Sequence, residues 1–324
     1  MGSKQSLFEN PDLTGKVVII TGATTGVGKS LAAFIASYNP KKLILAVRNR
    51  AKGEATLDFI SSRNGHHNNV EVWDMDLADL TSVKSFAEKF IKEVGELHLL
   101  FNNAGSAPIE LMQPKNTKNN FEVTFQVNYL SQFLLTNLLL DTLKKSASPE
   151  FPCKIINTNS KEHRLGTIDF DNFHGHKSAC HIYVNTKLMG VIFSNELNKR
   201  LRGTNVLSLA IYPGLIKSKV SHLYNKNRKF NKKLFHNLCM LFAKSPDYGA
   251  LNILIPTFSK GVHHFGYNYY ENCKEVKPND KALNEALAKK LWDYSDILLK
   301  SKISYCPTYT SFSSSFRSLR SLKK

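Results

Sequence analysis

The sequence predicts a doubly wound α/β fold, one mostly parallel sheet covered by helices on both faces, and three observations carry that prediction. Lys16 to Ser30, KVVIITGATTGVGKS, reads as a strand, a glycine turn and the start of a helix. From Asp12 to about Thr257, apolar runs of strand length alternate with segments of helical periodicity, the pattern of parallel strands joined by crossover helices. The chain has 324 residues and an ordinary 42% hydrophobic content, enough for one large core, and it lacks the eighteen-residue apolar run a membrane span needs.

In chain order, Val17-Val18-Ile19-Ile20 is a β-branched run suited to a strand buried on both faces. Gly22, Gly26 and Gly28 follow with the spacing TGxxxGxG, interleaved with Thr24, Thr25, Val27 and Lys29, before the apolar helix Leu31 to Ile35. Glycine lets such a turn close and lets backbone approach a pyrophosphate, while the helix N-terminus supplies N–H groups and a positive dipole end. A glycine-rich turn without a ligand is the bland alternative. The second strand is Lys42 to Val47, with a helix through Ala55 and Phe59; Val70 to Trp73 and Asp76 form the third. Val83, Phe86, Ala87, Phe90 and Ile91 mark the next helix, and a fourth strand, Leu97 to Phe101, runs into Asn102-Asn103-Ala104-Gly105. Small residues there let backbone pass a flat ring, and the asparagines can tie strand ends together. The fifth strand, Cys153 to Thr158, ends at Asn159-Ser160, and the sixth, Val206 to Ile211, at Tyr212-Pro213-Gly214-Leu215-Ile216. Ligands of such sheets bind at the carboxyl ends of the strands.

At the end of the second strand, an NAD site carries a carboxylate for the ribose 2′-hydroxyl. Here stands Val47-Arg48-Asn49-Arg50, and arginine suits a 2′-phosphate by charge and fork geometry. Lys29 adds positive charge, so NADP(H) is favoured over NAD(H); solvated arginines at a helix start are the alternative. Asn128 lies in an apolar helix and needs partners. Tyr183 and Lys187, four apart, share one helix face; an ammonium beside a phenol favours the phenolate and lowers its pKa.

Together TGATTGVG, NNAG, Asn128, Ser160 and Tyr183-xxx-Lys187 resemble, in order and spacing, the short-chain dehydrogenase/reductase superfamily, over roughly residues 12 to 300. RNRAKGE after the second strand, Asp76-Leu77-Ala78-Asp79-Leu80 and Glu162-His163-Arg164-Leu165-Gly166 are similar to the retinol dehydrogenase group, which includes the oxidoreductase domain of the WW-domain-containing oxidoreductase. The long Ser160–Tyr183 separation, Asn272-Cys273 and Leu291 to Ser295 belong to the same set. The resemblance implies a Rossmann fold with a variable substrate lid and hydride transfer between nicotinamide and a carbonyl or alcohol. It implies that Tyr183 exchanges the proton, Ser160 polarises the carbonyl, Lys187 holds the ribose and Asn128 anchors a relay water. Gly22, Gly26 and Gly28 would cradle the pyrophosphate, Asp76 and Leu77 meet adenine, and Asn103, Ala104 and Gly105 border the adenosine. Pro213, Gly214, Ile216 and Ser218 would close over the nicotinamide. Asn159 departs from the serine usual before Ser160.

The formal net charge is +18, which points to an anionic partner beyond the cofactor. Seven lysines or arginines lie between Lys217 and Lys233, followed by apolar Leu234 to Ala243; a lid over residues 217–245 resting on an anionic membrane is one reading, a solvated loop and core helix the other. Met1-Gly2-Ser3-Lys4-Gln5-Ser6 fits the N-myristoylation pattern at Gly2, with an unmodified arm over residues 1–12 as the alternative. One acyl chain binds marginally, so a basic patch would be the second anchor. Residues 301–324 read as a Ser-rich basic tail without a fold of its own. Five scattered cysteines without a CxxC pair suit reduced thiols in the cytoplasm. The histidine pairs His66-His67 and His263-His264, and His174-Gly175-His176, lack a supporting ligand set and read as loop histidines, and no aromatic-interleaved basic motif supports nucleic-acid binding. A small lipophilic aldehyde, ketone, retinoid or steroid is the substrate class expected, with a homodimer open. A non-catalytic NADP-binding scaffold at a membrane is the rival from another class.

Overall fold

The computed structural model describes residues 11–105, 115–171, 179–216, 243–259 and 266–304. Ser218, residues 217–242 of the predicted lid, Gly2, the tail from 305, and His174, His176, His263 and His264 lie outside them.

The described chain builds one sheet in the order β3-β2-β1-β4-β5-β6-β7-β8. Its first six strands are those the apolar runs predict: β1 Val17–Thr21, β2 Lys42–Val47, β3 Val70–Asp74, β4 Leu99–Asn102, β5 Cys153–Thr158 and β6 Val206–Tyr212. They pair in parallel, with Ile19 level with Ile44 and Leu100, and Asn102 level with Asn157. Two short strands extend the sheet beyond β6: β7 Tyr269–Glu271 runs parallel to it, and β8 Lys274–Glu275 returns antiparallel. The tight turn between them uses Asn272 and Cys273 at φ 50° and 66°, both in the left-handed region that two-residue hairpin turns require.

Side chains alternate across the sheet, as the period of a strand dictates. Val17 and Ile19 face one apolar layer and Val18 and Ile20 the other. On the second face lie α1 Gly26–Ser37, α2 Arg50–Asn64 and α7 Pro246–Phe258, through Leu31, Ile35, Ile60, Ile253 and Leu254. The first face is covered by α3 Leu80–Glu93, α5 Ser131–Ser146, α6 Ala179–Arg200 and α8 Glu285–Lys300. Before α5 comes the short α4, Val123–Phe125, and a π-helical turn, Gln126–Leu130. Phe133, Phe193 and Trp292 meet where α5, α6 and α8 converge, with ring centroids 4.9–5.8 Å apart. Tyr129 bonds Ser295 at 2.8 Å in the same layer, so a buried hydroxyl keeps a partner.

The strand order reverses at β1 and β4, where consecutive crossovers leave on opposite faces. That leaves a crevice at the carboxyl ends of β1, β4 and β5, which Gly22, Asn103 and Ser160 directly follow.

Candidate active site

The nucleotide turn is shaped by close approach. Gly22 has φ +68°, and a Cβ there would lie 2.6 Å from the Ala104 Cα. At Gly28 a Cβ would meet the Gly22 carbonyl at 2.2 Å and Asn103 Nδ2 at 2.4 Å. Gly26 also takes a positive φ, 53°. Thr25, the residue before α1, makes no side-chain cap bond, and the first turn of α1 carries no acidic residue. The first N–H groups of a helix have no intrahelical partner, so this turn suits a bound pyrophosphate.

Asn103 is a strand clamp. Its amide donates to Thr21 O at 3.1 Å and Gly22 O at 3.3 Å, and its carbonyl accepts from Thr158 Oγ1 at 3.4 Å. Thr21 Oγ1 accepts the backbone N–H groups of Asn103 and Ala104, each at 3.0 Å, and Gln132 Nε2 donates to Ala104 O at 2.6 Å. Asn102 donates to Asn157 Oδ1 at 3.0 Å. The asparagines thus join β1, β4 and β5, as expected from their position.

Around the predicted adenosine side, Arg48 and Arg50 part company. Arg50 is turned to Asp74 at 3.6 Å, Glu54 at 3.4 Å and Val72 O at 3.4 Å. Arg48 is exposed at the end of β2 and makes no ion pair among the described residues. Lys29 lies 4.4 Å over the Phe59 ring, on the side of α2. Asp76 accepts from Ala78 N at 2.9 Å, a turn of its own, and Leu77 is buried with its carbonyl held by Gln126 and Ser131.

Opposite, Pro213 O accepts from Asn252 Nδ2 at 2.8 Å, and Gly214 takes φ +99°. Ile216 pairs with Lys244, whose N–H donates to Leu215 O at 2.8 Å. A Cβ on Gly249 would stand 2.8 Å from Val27 and 2.9 Å from Ile216. This glycine of α7 therefore brings the nucleotide turn and the segment after β6 together, a role its sequence context does not reveal.

Ser160, Tyr183, Lys187 and Asn128 converge at the ends of β4 and β5. The Ser160 hydroxyl lies close enough to the Tyr183 phenol to lower its pKa. Lys187 Nζ lies 5.6 Å from the Tyr183 ring centroid and donates to Thr158 O at 3.2 Å. Asn128, on the π-helical turn, donates to Thr186 Oγ1 at 3.3 Å. A Cβ on Gly105 would be 3.6 Å from Asn128 Oδ1 and 3.8 Å from Lys187 Nζ, so the fourth strand's end borders the same space. Behind Lys187 lies a cavity of about 10 Å³ lined by Asn128, Thr158, Asn159, Thr186, Lys187 and Phe193 among others, the volume one water needs. Asn159 accepts the Ser160 N–H at 2.7 Å, and a Cβ on Gly190 would lie 2.9 Å from its amide. The departure at 159 therefore supports Ser160 from within.

The Tyr183 phenol runs opposite to the expected direction. Burial pushes it up to about 12, the Glu162 carboxylate adds to the rise, and the bond with Ser160 opposes it. Burial also pushes the Lys187 amine down to about 8, against the pull of Glu162. The i, i+4 pairing alone did not include the desolvation of either group or the second carboxylate.

That carboxylate belongs to the short 3-10 helix Lys161–Leu165. Glu162 accepts from the Ser160 hydroxyl. His163 is fully buried; its Nδ1–H donates to Ser160 O at 2.8 Å and its Nε2 accepts from Asn279 N at 3.2 Å. Arg164 and Lys161 both reach Glu271, at 2.5 Å and 3.2 Å. These three side chains pin the segment after Ser160 to β7, and none was singled out individually from the sequence.

The family model for short chain dehydrogenases matches residues 16–229. Mouse retinol dehydrogenase 11 is 37% identical over 292 residues, spanning 90% of this chain and 88% of that protein. Human retinol dehydrogenase 12 is 35% identical over 298 residues, with 90% and 88% covered. Among solved structures, an uncharacterised protein from Mycobacterium Paratuberculosis superposes with TM-score 0.68 at 26% identity, over 90% of this chain and 96% of that one. The Pseudomonas aeruginosa RhlG/NADP active-site complex shares the fold, with TM-score 0.59 at 22% identity over 76% and 91%. The chain therefore belongs to the short-chain dehydrogenase family, oxidoreductases acting on CH–OH groups.

Proposed function

We propose that this protein is an NADP(H)-dependent oxidoreductase of lipophilic carbonyls and alcohols, with retinoids as the first substrate class. The observation that carries this reading is the convergence of Ser160, Tyr183 and Lys187, with the Lys187 amine 5.6 Å from the Tyr183 ring centroid. A bound nicotinamide cofactor would supply or accept hydride at the substrate's carbonyl carbon. In the reducing direction, Tyr183 gives its phenolic proton to the substrate oxygen as negative charge develops there, and Ser160 donates a hydrogen bond to the same oxygen. Lys187 holds the ribose hydroxyls, and the cavity beside Asn128 and Lys187 suits a water that returns the proton to Tyr183. Burial favours the protonated phenol and so suits Tyr183 to the acid role.

The glycine turn, with Thr24, Thr25 and Val27, would hold the pyrophosphate, Asp76 and Leu77 the adenine, and Pro213, Gly214 and Ile216 the nicotinamide. Arg48 is the residue for a 2′-phosphate, because Arg50 is already engaged by Asp74. The lipophilic class is supported by Leu165 and Leu215, 74% and 46% exposed beside the site, and by the names of the retinol dehydrogenase relatives. Incubation with retinal, a fatty aldehyde and small polar ketones tests it; turnover of the ketones alone would overturn the lipophilic assignment.

No helix among the described residues is long and apolar enough to cross a membrane. The basic run Lys217 to Lys233 and the Gly2 pattern support peripheral docking of this protein on an anionic cytosolic face. Salt-sensitive binding to phosphatidylserine liposomes is the expected result; binding to RNA instead would overturn it.

A further inference from the structure

We propose that Glu162 is a specificity-determining residue, whose carboxylate beside Ser160 admits neutral substrates and turns away those with an anionic group near the reacting carbon. This deepens the carbonyl reductase reading and rests on it.

The local geometry follows from the 3-10 helix, which has three residues per turn and so sends successive side chains about 120° apart. Lys161 turns to Glu271 and the Tyr212 ring, His163 turns into the core, and Glu162 turns to the Ser160 hydroxyl. A hydroxyl has one proton to give. An ionised carboxylate only accepts, so Ser160 gives its proton to Glu162. A carbonyl oxygen that enters between Ser160 and Tyr183 takes that proton over, and the carboxylate then faces the substrate directly.

The cation that faces Glu162, Lys187, is turned to Thr158 O at 3.2 Å. From α6 the carboxylate is faced by Tyr183 and Lys187, from β6 by Tyr212. Glu271 of β7 is nearby, and both cations of the same short helix, Lys161 and Arg164, are spent on it. Glu162 makes no ion pair among the described residues. A substrate carboxylate a few ångströms away would meet the Glu162 charge, at a cost on the order of tenfold in affinity at a partly exposed site. Rejection by an unpaired like charge is a general route to specificity.

The test uses two aldehydes of one shape, methyl 4-formylbenzoate and 4-formylbenzoate, titrated calorimetrically into the full-length protein saturated with NADP+. The wild type should bind the ester about tenfold more tightly than the acid, and Glu162→Gln should bring the two within about threefold. Glu88→Gln, on the far surface of α3 and paired with Lys84, should keep the wild-type ratio. An unchanged ratio in Glu162→Gln, equal binding of both probes by the wild type, or binding of neither would overturn the proposal. NADPH oxidation by the ester on the same samples separates the two claims. Turnover with no charge dependence removes the role of Glu162 alone, while charge-dependent binding without turnover removes the enzymatic reading and leaves the filter in place.

Discussion

Replacing His163 by leucine tests how the segment after Ser160 is held. The imidazole has no exposed surface, and both its nitrogens are used. Ser160 O can only accept and Asn279 N–H can only donate, so the ring is neutral with its proton on Nδ1. Leucine would leave the Asn279 N–H without its partner, worth roughly 1–3 kcal/mol, would leave Ser160 O only the backbone N–H of residue 163 at 3.2 Å, and would remove the edge contact with Tyr269 at 4.7 Å between centroids. The expected loss is therefore roughly 1–3 kcal/mol at pH 8, read from urea unfolding. The pH dependence gives a sharper signature. Burial holds the folded His163 pKa below its ordinary value, with the bond to Ser160 opposing, while the unfolded chain takes up the proton near pH 6.5. Wild-type stability is then complete above pH 6.5 and falls as pH falls below it, by up to about 1.4 kcal/mol per unit from this residue. His98, buried against Val17 N–H, contributes in the same sense in both proteins. The gap between wild type and His163→Leu should narrow by up to about 1.4 kcal/mol between pH 6.5 and 5.5. A loss under about 1 kcal/mol at pH 8, or a gap that does not change with pH, would refute the assignment of both bonds.

Three further predictions concern the cofactor. Gly28→Ala places a methyl 2.2 Å from the Gly22 carbonyl, so α1 must shift; calorimetry should find NADPH binding weakened more than tenfold, with about 1–3 kcal/mol of stability lost. Arg48→Ala should raise KM for NADPH about tenfold to a hundredfold, the worth of a charge-assisted bond, and leave KM for NADH unchanged. Gly249→Ala meets the mobile ends of Val27 and Ile216 at 2.8–2.9 Å; its cost should be milder, about 1–2 kcal/mol, with cofactor KM raised, and an unaltered KM would show that α7 does not set the cleft.

The six central strands were legible because each is a continuous apolar run between turn signals, and the site motifs because glycine, tyrosine and lysine stand at fixed spacings. β7 and β8 were not, since three and two residues carry no periodicity; only Asn272 in the left-handed turn hints at them. His163 and Gly249 act through partners more than 100 residues away in sequence and from the far side of the cleft, respectively. No local pattern records such contacts. For Tyr183, proximity to Lys187 was visible in the sequence, but the burial of both groups and the Glu162 charge were not, and these set the direction of its pKa. Arg48 and Arg50 were alike in the sequence, and contacts of Arg50 with Asp74, Glu54 and Val72 O distinguish them.

The most direct test of the account is NADPH consumption with all-trans-retinal by wild type and Tyr183→Phe. The phenylalanine variant keeps the ring and its packing and loses only the proton donor. The account predicts steady turnover by the wild type and a rate lower by about 10²- to 10⁴-fold in the variant, with NADPH binding intact. A variant that retains its rate within a few-fold would contradict the assignment of Tyr183 as the proton-transfer residue.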